Sequence, residues 1–430
     1  MPAPASLDPA PVHAPAAPGP AHSPAIPTAA KRRLTMIVVA HAAIDFLSMT
    51  IVLLLSVLEG RVSITPGQGA ILLAVGSLCS GLIQPIVAAL SDRYNTRIFG
   101  PLGLLAAAVA LSMLGFVGTY GQLLLLQAVA AAGIGAFHPV GASAMGQLSG
   151  RRRSIGVAVF FTGGMIGSTM GSLLVPAINE HYGLRALAWF IAPGVIGALA
   201  LWAAIGAIPH RHGEAGSRAA ALSPDEVRRR WSSIAILYAG NIIRFTVNQA
   251  LVTLVVRWAE AMSLRAGGQE VLTAALRESS SIINGRMQAA MTIGMGVGGL
   301  LGGAIVRPGR EKRVLIGSAI IGVPAIMCFP FATPWVAVAL AGCAGVGFAS
   351  ATPVSIAVAQ RLLPHRTSLA SSLMMGGAWV FSAGGPLLAQ GLISALGLGG
   401  AFAAISILLG LSGMITFLLS SKLLLDTAME

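Results

Sequence analysis

Residues 36–58, MIVVAHAAIDFLSMTIVLLLSVL, form an apolar run that contains one histidine, His41, and one acidic residue, Asp45. A helix needs about 20 mostly apolar residues to cross the hydrocarbon core of a bilayer. The run is long enough, so we predict that it is a transmembrane helix. Eleven further runs of the same kind follow it along the chain, so we predict an all-α protein that crosses the membrane twelve times.

The composition of the whole chain agrees with this pattern. Of its 430 residues, 55% are hydrophobic and only 10% are charged, whereas soluble proteins carry roughly 25% charged residues. Most of the chain therefore cannot face water, which excludes an ordinary soluble enzyme. The three cysteines fall inside apolar runs, so no disulfide framework is indicated. The predicted spans are residues 36–58, 68–90, 98–117, 121–145, 155–177, 186–208, 231–256, 287–306, 314–332, 335–358, 368–390 and 401–421.

The net charge of +13 is distributed unevenly over the connections between these spans. With the twelve spans in place, 20 of the 27 basic residues fall on one side of the membrane and 6 on the other, while Arg244 lies within a span. Loops rich in lysine and arginine remain in the cytoplasm. We therefore predict a multi-pass protein of the cell inner (plasma) membrane with both termini in the cytoplasm. Because the basic loops are short and scattered, no nucleic-acid partner is expected.

The longest predicted cytoplasmic connection divides the spans into two sets of six. At a fixed shift of 214 residues the halves align without a gap from the second span to the eleventh, so that Gly133 meets Gly347 and Pro139 meets Pro353. Two parallel six-helix repeats are the organisation of the major facilitator fold, an all-α polytopic membrane fold. The predicted parts are a disordered Pro/Ala-rich cytoplasmic tail (1–33), an N-terminal six-helix bundle (34–208), a cytoplasmic linker (209–230), a C-terminal six-helix bundle (231–421) and a cytoplasmic tail (422–430).

A second long connection, at about 257–286, lies on the predicted external side. It contains the stretch GQEVLTAALRESS (268–280). We expect this stretch to form either a short surface helix or an extension of the seventh span.

The loop after the second span contains a charged motif. It reads ALSDRYNTR (89–97), and the equivalent loop of the second half reads GGAIVRPGREKR (302–313). Together they resemble the loop motif Gly-x-x-x-Asp-Arg-x-Gly-x-Arg of the major facilitator superfamily, whose charges form a relay at the cytoplasmic gate. The resemblance implies a gate role, and the residues concerned are Asp92, Arg93, Arg97, Arg307 and Arg310.

This motif departs from the family pattern in three places. Ala88 and Asn95 stand where the motif has glycine, and Val306 replaces the aspartate in the second half, so the second gate lacks its carboxylate. The alternative interpretation is a solvated cluster of charges that only fixes the topology. The sequence leaves both interpretations open.

Two short motifs indicate a branch within the superfamily. The first span contains His-x-x-x-Asp, formed by His41 and Asp45, and the fourth contains Phe137-His138-Pro139 within GIGAFHPVGAS. Together with the sequence that continues into the fifth span, they resemble the fosmidomycin-resistance branch. The resemblance covers most of the first half and implies a proton-driven exporter of small toxic molecules.

The same residues indicate proton coupling on physical grounds. An ionisable side chain at membrane depth is costly and usually faces a cavity where it has a function. At about 1.5 Å per residue, Asp45 and His138 lie at a similar distance from the cytoplasmic helix ends. Burial penalises a charged carboxylate, whereas a protonated histidine beside it favours the charge. We therefore predict that Asp45 carries protons, with His41 and His138 as partners.

Each of these three residues also has a purely structural interpretation. His41 is then a helix residue whose hydrogen bonds are satisfied, and His138 bonds to backbone groups that are freed by Pro139. Asp45 is then a buried carboxylate without a proton-carrying role. The sequence does not decide between the two sets.

The seventh span contains a polar stripe at helical spacing, formed by Tyr238, Asn241, Arg244 and Asn248. Arginine remains charged and presents a planar fork that suits carboxylate or phosphonate groups. Three interpretations remain open for Arg244: it binds an anionic substrate, it pairs with Asp45 across the two halves, or it bonds to helix carbonyls. We name this stripe as the substrate-binding candidate, with Trp379 and Gln127 as further cavity candidates.

These patterns lead to one functional prediction and two alternatives. We predict a proton-coupled secondary transporter that works by alternating access, a drug or metabolite exporter that exchanges its substrate for protons. The alternatives are an uptake symporter for a small organic anion and a sensor with a transporter-like body. No enzyme activity, cofactor or metal is predicted. The expected partners are a small-molecule substrate, for which an anion is one option, together with protons and the lipid bilayer, and the protein is expected to be a monomer.

Overall fold

The described part of the protein is helical throughout. A computed structural model describes residues 28–91, 94–150, 153–206, 223–307 and 309–429. By length and composition, eleven of its helices are apolar enough to cross a membrane, and a shorter apolar helix, Leu369–Ser382, belongs to one further span. The prediction of twelve spans is confirmed.

The bounds of the spans follow the apolar runs of the sequence. Spans one, ten and eleven are built from more than one helical stretch, and spans three, six, nine and twelve contain a 3₁₀ stretch at one end. In chain order the helices are Thr28–Ser48, Thr50–Leu53 and Leu55–Val62 (span one), Pro66–Ser91 (two), Phe99–Ser112 with Met113–Phe116 (three), Tyr120–Leu148 (four), Arg153–Tyr182 (five), Leu184–Phe190 with Ile191–Ile205 (six), Pro224–Gly267 (seven), Ala274–Ile305 (eight), Glu311–Cys328 with Phe329–Phe331 (nine), Pro334–Ala349 with Ala351–Leu362 (ten), then Thr367–Ser372, Leu373–Gly377 and Ala378–Ser382 (start of eleven), Gly385–Ile415 with Thr416–Leu418 (end of eleven and twelve) and Ser421–Met429 (the C-terminal helix).

The last of these helices changes direction at Gly397. This residue has φ +70° and ψ 173°, which is not a helical conformation. A glycine adopts positive φ without the steric cost that a side chain would impose. Gly397 is therefore where span eleven ends and span twelve begins. Within span eleven, Leu373–Gly377 form a π-helical turn, a feature that often occurs at functional sites.

The stretch 268–280 differs from both expectations. Span seven ends at Gly267, and Gly268 caps it in the left-handed conformation, with φ +60°. The next helix begins at Ala274, where the Thr273 side chain accepts a hydrogen bond from the Leu276 backbone N–H. The second half of the stretch is therefore the start of span eight. It is neither a separate surface helix nor an extension of span seven, because the cap at Gly268 and the Thr273 N-cap set the helix boundaries.

The hydrophobic cores of the two halves are separate. Except for Val256, the buried residues of the core in the first half come from spans one to six, and three clusters of buried residues lie in the second half. The two bundles meet where spans five and eight pack together and where spans two and eleven pack together. At Gly285 of span eight a Cβ would lie 2.3 Å from the carbonyl oxygen of Ser172 in span five. The absence of a side chain at this position permits the close approach of the two bundles.

Twelve successive crossings place the end of the last span on the same face as the start of the first. We call this face the terminal face and the other the opposite face. The predicted tail and linker lie mainly in residues 1–27 and 207–222, which are outside the described residues.

Candidate functional site

Three ionisable side chains meet inside the N-terminal bundle. Nε2 of His41 lies 3.4 Å from Oδ2 of Asp45, and Nε2 of His138 lies 3.3 Å from Oδ1 of the same carboxylate. His41 and Asp45 are one helical turn apart in span one, and span four supplies His138. Asp45 is only 8% exposed and His41 1%. The carboxylate therefore has one imidazole at each oxygen. We call these three residues the His–Asp–His cluster.

Backbone carbonyls fix the orientation of both imidazoles. Nδ1 of His41 lies 2.7 Å from the carbonyl oxygen of Phe160 in span five, and Nδ1 of His138 lies 2.8 Å from that of Ile134. A carbonyl oxygen only accepts hydrogen bonds, so each Nδ1 must carry a proton and donate it. In both rings Nε2 is therefore the nitrogen that faces Asp45.

The proton count of the cluster follows from these hydrogen bonds. If Asp45 is ionised and both histidines are neutral, each Nε2 presents a lone pair to a carboxylate oxygen, and the contacts are repulsive. One added proton creates a hydrogen bond at one oxygen and makes the cluster electrically neutral. A second proton creates the other hydrogen bond and gives a net charge of +1. The geometry thus offers two places for a proton, one between each imidazole and the carboxylate oxygen that it faces.

Aromatic rings surround His41. Its ring stacks on Phe160 with a centroid distance of 3.7 Å and an interplanar angle of 19°, and Phe137 lies 5.7 Å away. The stacked rings fix the position of the imidazole by packing, and they leave the His41 side chain almost no exposed surface.

Gly164 makes room for the cluster. A Cβ at this position of span five would lie 2.4 Å from Oδ2 of Asp45 and 2.7 Å from Nε2 of His41. Real Cβ atoms do not approach other atoms so closely. Span five can therefore pack against the cluster only because residue 164 has no side chain.

The same donor set is able to bind a metal. The ligand atoms of His41, Asp45 and His138 lie within 4.8 Å of one another, and two imidazoles and a carboxylate are donors that Zn²⁺ accepts. The expectation that no metal binds was based on the spacing of His41 and Asp45 alone. A test of proton coupling at this cluster therefore needs a chelator as a control.

His138 does not bond to the carbonyl that Pro139 frees. Proline lacks an N–H, which leaves the carbonyl four residues earlier, that of Gly135, without its helical donor. His138 instead bonds to the Ile134 carbonyl. The structural alternative for His138 is therefore not what the geometry shows.

The polar stripe of span seven points largely into its own bundle. Nη1 of Arg244 donates to Oγ of Ser318 at 2.8 Å, and Nη2 donates to the Leu315 carbonyl at 2.6 Å. Arg244 is 4% exposed. The second of the three interpretations, a pair between Arg244 and Asp45, is not formed in this structure, because Asp45 contacts two histidines and Arg244 contacts span nine. The third interpretation, with Arg244 on helix carbonyls, describes the observed contacts.

The other substrate-binding candidates are distributed over both bundles. Asn241 donates to Oγ of Ser355 at 3.1 Å and to the Met374 carbonyl at 3.0 Å, and Asn248 is buried. The remaining three contact aromatic or glycine residues: Tyr238 with Phe381 at 6.3 Å between ring centroids, Trp379 with Phe245 at 5.5 Å, and Gln127 on Gly76, where a Cβ would lie 1.9 Å from its Nε2. Asn241 and Tyr238 contact span eleven, whereas Gln127 contacts Gly76 in the other bundle.

The predicted gate residues are only partly described. Asp92 and Arg93 lie outside the described residues. Arg307 and Arg310 are exposed, and Arg97 is half-buried. On this face the structure instead pairs Arg361, at the end of span ten, with Glu311, at the start of span nine. Glu311 is buried, and it was not singled out in the sequence.

A second group of charges was also missed, on the opposite face. Nη1 of Arg257 in span seven donates to Glu59 in span one at 2.8 Å and to Glu260 at 2.9 Å. All three residues are less than a tenth exposed. We call Glu59, Arg257 and Glu260 the interbundle triad, because it joins the two bundles. The sequence does contain a signal: Glu59 directly follows the apolar run 36–58, and Arg257 and Glu260 directly follow the run 231–256.

Two further bonds on this face connect span eight to span one. Nη1 of Arg277 donates to the Ser56 carbonyl at 2.8 Å, and Nδ2 of Asn284 donates to the Val52 carbonyl at 2.9 Å. The opposite face is therefore closed by polar contacts between the bundles.

The sequence matches a known family over more than half of its length. The model of the Major Facilitator Superfamily matches residues 36–276. The fosmidomycin resistance protein of Escherichia coli (strain K12) is 26% identical over 350 residues, which are 80% of this chain and 82% of that protein. The uncharacterized MFS-type transporter YfnC of Bacillus subtilis (strain 168) is 24% identical over 397 residues, 90% of this chain and 92% of that protein.

Solved transporter structures share the fold. A bacterial homolog of the human lysosomal transporter Spinster, in an inward-facing and unoccupied conformation, has a TM-score of 0.68 at 17% identity and covers 93% of this chain and 98% of its own. A mutant of the nucleoside transporter NupG has a TM-score of 0.69 at 13% identity and covers 90% of this chain and 100% of its own. At such identities the likeness concerns the fold alone.

Proposed function

The chain belongs to the Major Facilitator Superfamily and is a multi-pass secondary transporter rather than an enzyme, and from this premise we propose that it exports a small molecule in exchange for protons. The single observation that carries the proposal is the His–Asp–His cluster. A buried group that takes up and releases protons is what a proton-coupled transporter requires.

The proton count suggests how coupling works. With one proton the cluster is neutral, so the surrounding bundle closes over it at a low electrostatic cost. Loss of that proton leaves an anion whose contacts with both Nε2 atoms are repulsive, which favours a conformation that admits water or substrate. In an antiporter, the proton enters the cluster from one side of the membrane and the substrate enters the cavity from the other, so that the two are bound in alternate conformations. The mobile charge belongs to the cluster as a whole, with Asp45 at its centre.

The interbundle triad is the gate that we assign to the opposite face. It is formed when the bundles are closed on that face, and it has to break for the cavity to open there. The Glu311–Arg361 pair is a candidate for the terminal face, together with the untested gate role of Asp92, Arg93, Arg97, Arg307 and Arg310. Because the topology predicted from the sequence assigns 20 of the 27 basic residues to the side of the terminal face, we propose that this face is cytoplasmic and that the membrane is the inner (plasma) membrane.

The substrate class is proposed from the relatives. The Escherichia coli relative is named for resistance to fosmidomycin, which supports export of a small toxic molecule. Tyr238, Trp379 and Asn248 remain our candidates for substrate contact in the C-terminal bundle, with Gln127 in the N-terminal bundle. Tyr238 and Trp379 belong to an aromatic group with Phe245 and Phe348, which suits a substrate with an apolar part.

The experiment is flux in proteoliposomes with an imposed proton gradient and a chelator present. The substrate panel contains phosphonates, carboxylates and lipophilic cations. We expect Asp45→Asn to abolish transport that is driven by the gradient, because Asn cannot hold the proton between the two imidazoles. The matched control is Asp426→Asn, which changes an exposed aspartate of the C-terminal helix and should transport like the wild type.

Two outcomes would overturn the proposal. One is an Asp45→Asn variant that still accumulates substrate against its gradient with the wild-type pH dependence. The other is wild-type transport that depends on added metal and not on the proton gradient. Comparison of everted with right-side-out vesicles gives the direction of substrate transport. If substrate accumulates in the same direction as the protons flow, the symporter alternative replaces the exporter.

A further inference from the structure

Arg244 is a buried cation that the proposed transport cycle does not use. It is 4% exposed, and its two observed partners, Oγ of Ser318 and the Leu315 carbonyl, are neutral oxygens. Among the described residues, no ion pair includes Arg244. Within that part of the chain the guanidinium has hydrogen bonds but no counter-charge.

This arrangement is electrostatically incomplete. Arginine keeps its charge in proteins, and a buried charge is costly unless an opposite charge lies beside it. Neutral oxygens satisfy two of the five N–H donors without removing the net charge. Two other arginines of the same helix are buried, and both have carboxylate partners: Arg230 pairs with Glu226, and Arg257 pairs with Glu59 and Glu260.

A small void adjoins the guanidinium. It lies between spans seven, nine, ten and twelve and has a volume of about 10 Å³, which corresponds to one water-sized group. Five of the residues that line the void have polar side chains: Asn241, Arg244, Ser355, Ser412 and Thr416. The void is too small for a carboxylate or a phosphonate with its substituents.

We propose that this void binds a single monatomic anion of halide size, with Arg244 as its counter-ion. Chloride is the physiological ion of this chemistry. A single-atom ion is close in size to the water molecule that the space admits, it supplies the missing negative charge, and three of the five guanidinium N–H groups are not used by the two observed bonds. A water molecule fits the same space but leaves the charge uncompensated. The assignment also separates Arg244 from the organic substrate, which needs a larger site.

The test measures the melting temperature of the full-length protein in detergent. Chloride and bromide are compared with gluconate at the same ionic strength and pH. A ligand that binds only the folded state raises the melting temperature in proportion to ln(1 + [L]/Kd). We expect the wild type to melt several degrees higher in chloride or bromide than in gluconate, with saturation. Identical melting temperatures in all three salts would overturn the proposal.

Arg244→Gln removes the charge and should abolish the halide effect. The matched control is Arg265→Gln, which changes an exposed arginine of the same helix and should keep the full effect. An Arg244→Gln protein that retains the halide effect contradicts the proposal.

Gly240→Ala tests the void without touching the charge. Gly240 lines the void, and its Cβ would meet only the Ser412 carbonyl oxygen, at 3.7 Å. The added methyl group is therefore tolerated, and alanine is the better helix former. We expect a folded protein whose halide effect is lost or much reduced. If Arg244→Gln does not fold, this variant decides the question: a full halide effect in Gly240→Ala places the ion elsewhere and overturns the assignment.

Discussion

Each bundle buries one charged side chain well inside a span, Asp45 in the first bundle and Arg244 in the second. The two side chains differ in the kind of partner that they contact. In the N-terminal bundle Asp45 contacts two histidines, the residue type whose ordinary pKa lies closest to neutral pH. In the C-terminal bundle Arg244 contacts a hydroxyl and a carbonyl, which do not exchange protons in that range. We therefore predict that the first charge changes during transport and that the second is kept. Proton coupling is therefore expected to depend on the N-terminal bundle alone.

The largest expected effect comes from filling the space beside Asp45. In Gly164→Val the new Cβ would lie 2.4 Å from the carboxylate, so the cluster or span five must move. We expect proton-driven transport to fall to background while the protein still reaches the membrane. Gly299→Ala, at a glycine with open space around it, is the control. Wild-type transport by Gly164→Val would show that the cluster geometry is not required.

The next effect separates the two carboxylates of the interbundle triad. Glu59→Gln removes the partner in the other bundle, whereas Glu260→Gln removes the partner within span seven. Loss of one partner of a buried ion pair typically costs about 3–5 kcal/mol. Because Arg257 keeps Glu260 in the first variant, we expect Glu59→Gln to open the opposite face without unfolding the bundle. Distances between spin labels on spans one and seven measure this opening.

The two variants are directly comparable, because each removes one carboxylate partner of Arg257. Glu260→Gln should leave the opposite face closed, since the contact between the bundles remains. Equal opening in both variants would argue that net charge, rather than the link between the bundles, controls the gate.

A smaller effect distinguishes the two histidines. His41 is buried, stacked on Phe160 and bonded to its carbonyl, so His41→Asn should lose about 1–3 kcal/mol of stability through the unpaired groups it leaves. The His138 side chain is 26% exposed, and His138→Asn should melt close to the wild type but transport with a flatter pH profile. Thermal unfolding and pH-dependent flux check the two halves of this prediction. Unchanged pH profiles in both variants would contradict a shared proton.

The smallest effect is expected at the charged loop of the second half. Arg307 is exposed, so Arg307→Gln should change neither the melting temperature nor the flux measurably. A large loss of flux in this variant would support the gate role that the resemblance implies. Arg361→Gln serves for comparison, because it leaves the buried Glu311 without its partner.

Much of the fold was predictable because apolar runs of membrane length are an unambiguous signal. The depth argument also anticipated that Asp45 and His138 meet, since helix rise converts residue number into height. The proton-carrying role of these residues stays a prediction. Arg244 shows the limit of such reasoning: its partners are a hydroxyl and a backbone carbonyl, and every helix offers carbonyls, so no sequence pattern singles them out.

The interbundle triad was missed for a different reason. Glu59 and Arg257 are 198 residues apart, and each lies at the end of an apolar run, where charges are normally solvated. Counting basic residues loop by loop gives the orientation but not which charges become buried between bundles. The start of span eight was missed as well. The sequence around Thr273 looked like a separate helix or a continuation of span seven, whereas the Thr273 N-cap makes it the beginning of span eight.

Span five connects the chemistry of the cluster to the motion of the bundles. Its Phe160 carbonyl holds the His41 ring, while one face of the same helix lies against Gly285 of span eight. We expect a rotation of one bundle against the other to move this helix and so to displace the carbonyl that orients the imidazole. Span five would then couple the two events in both directions: movement at the interface between the bundles changes the hydrogen bond of His41, and a change in the protonation of the cluster shifts span five.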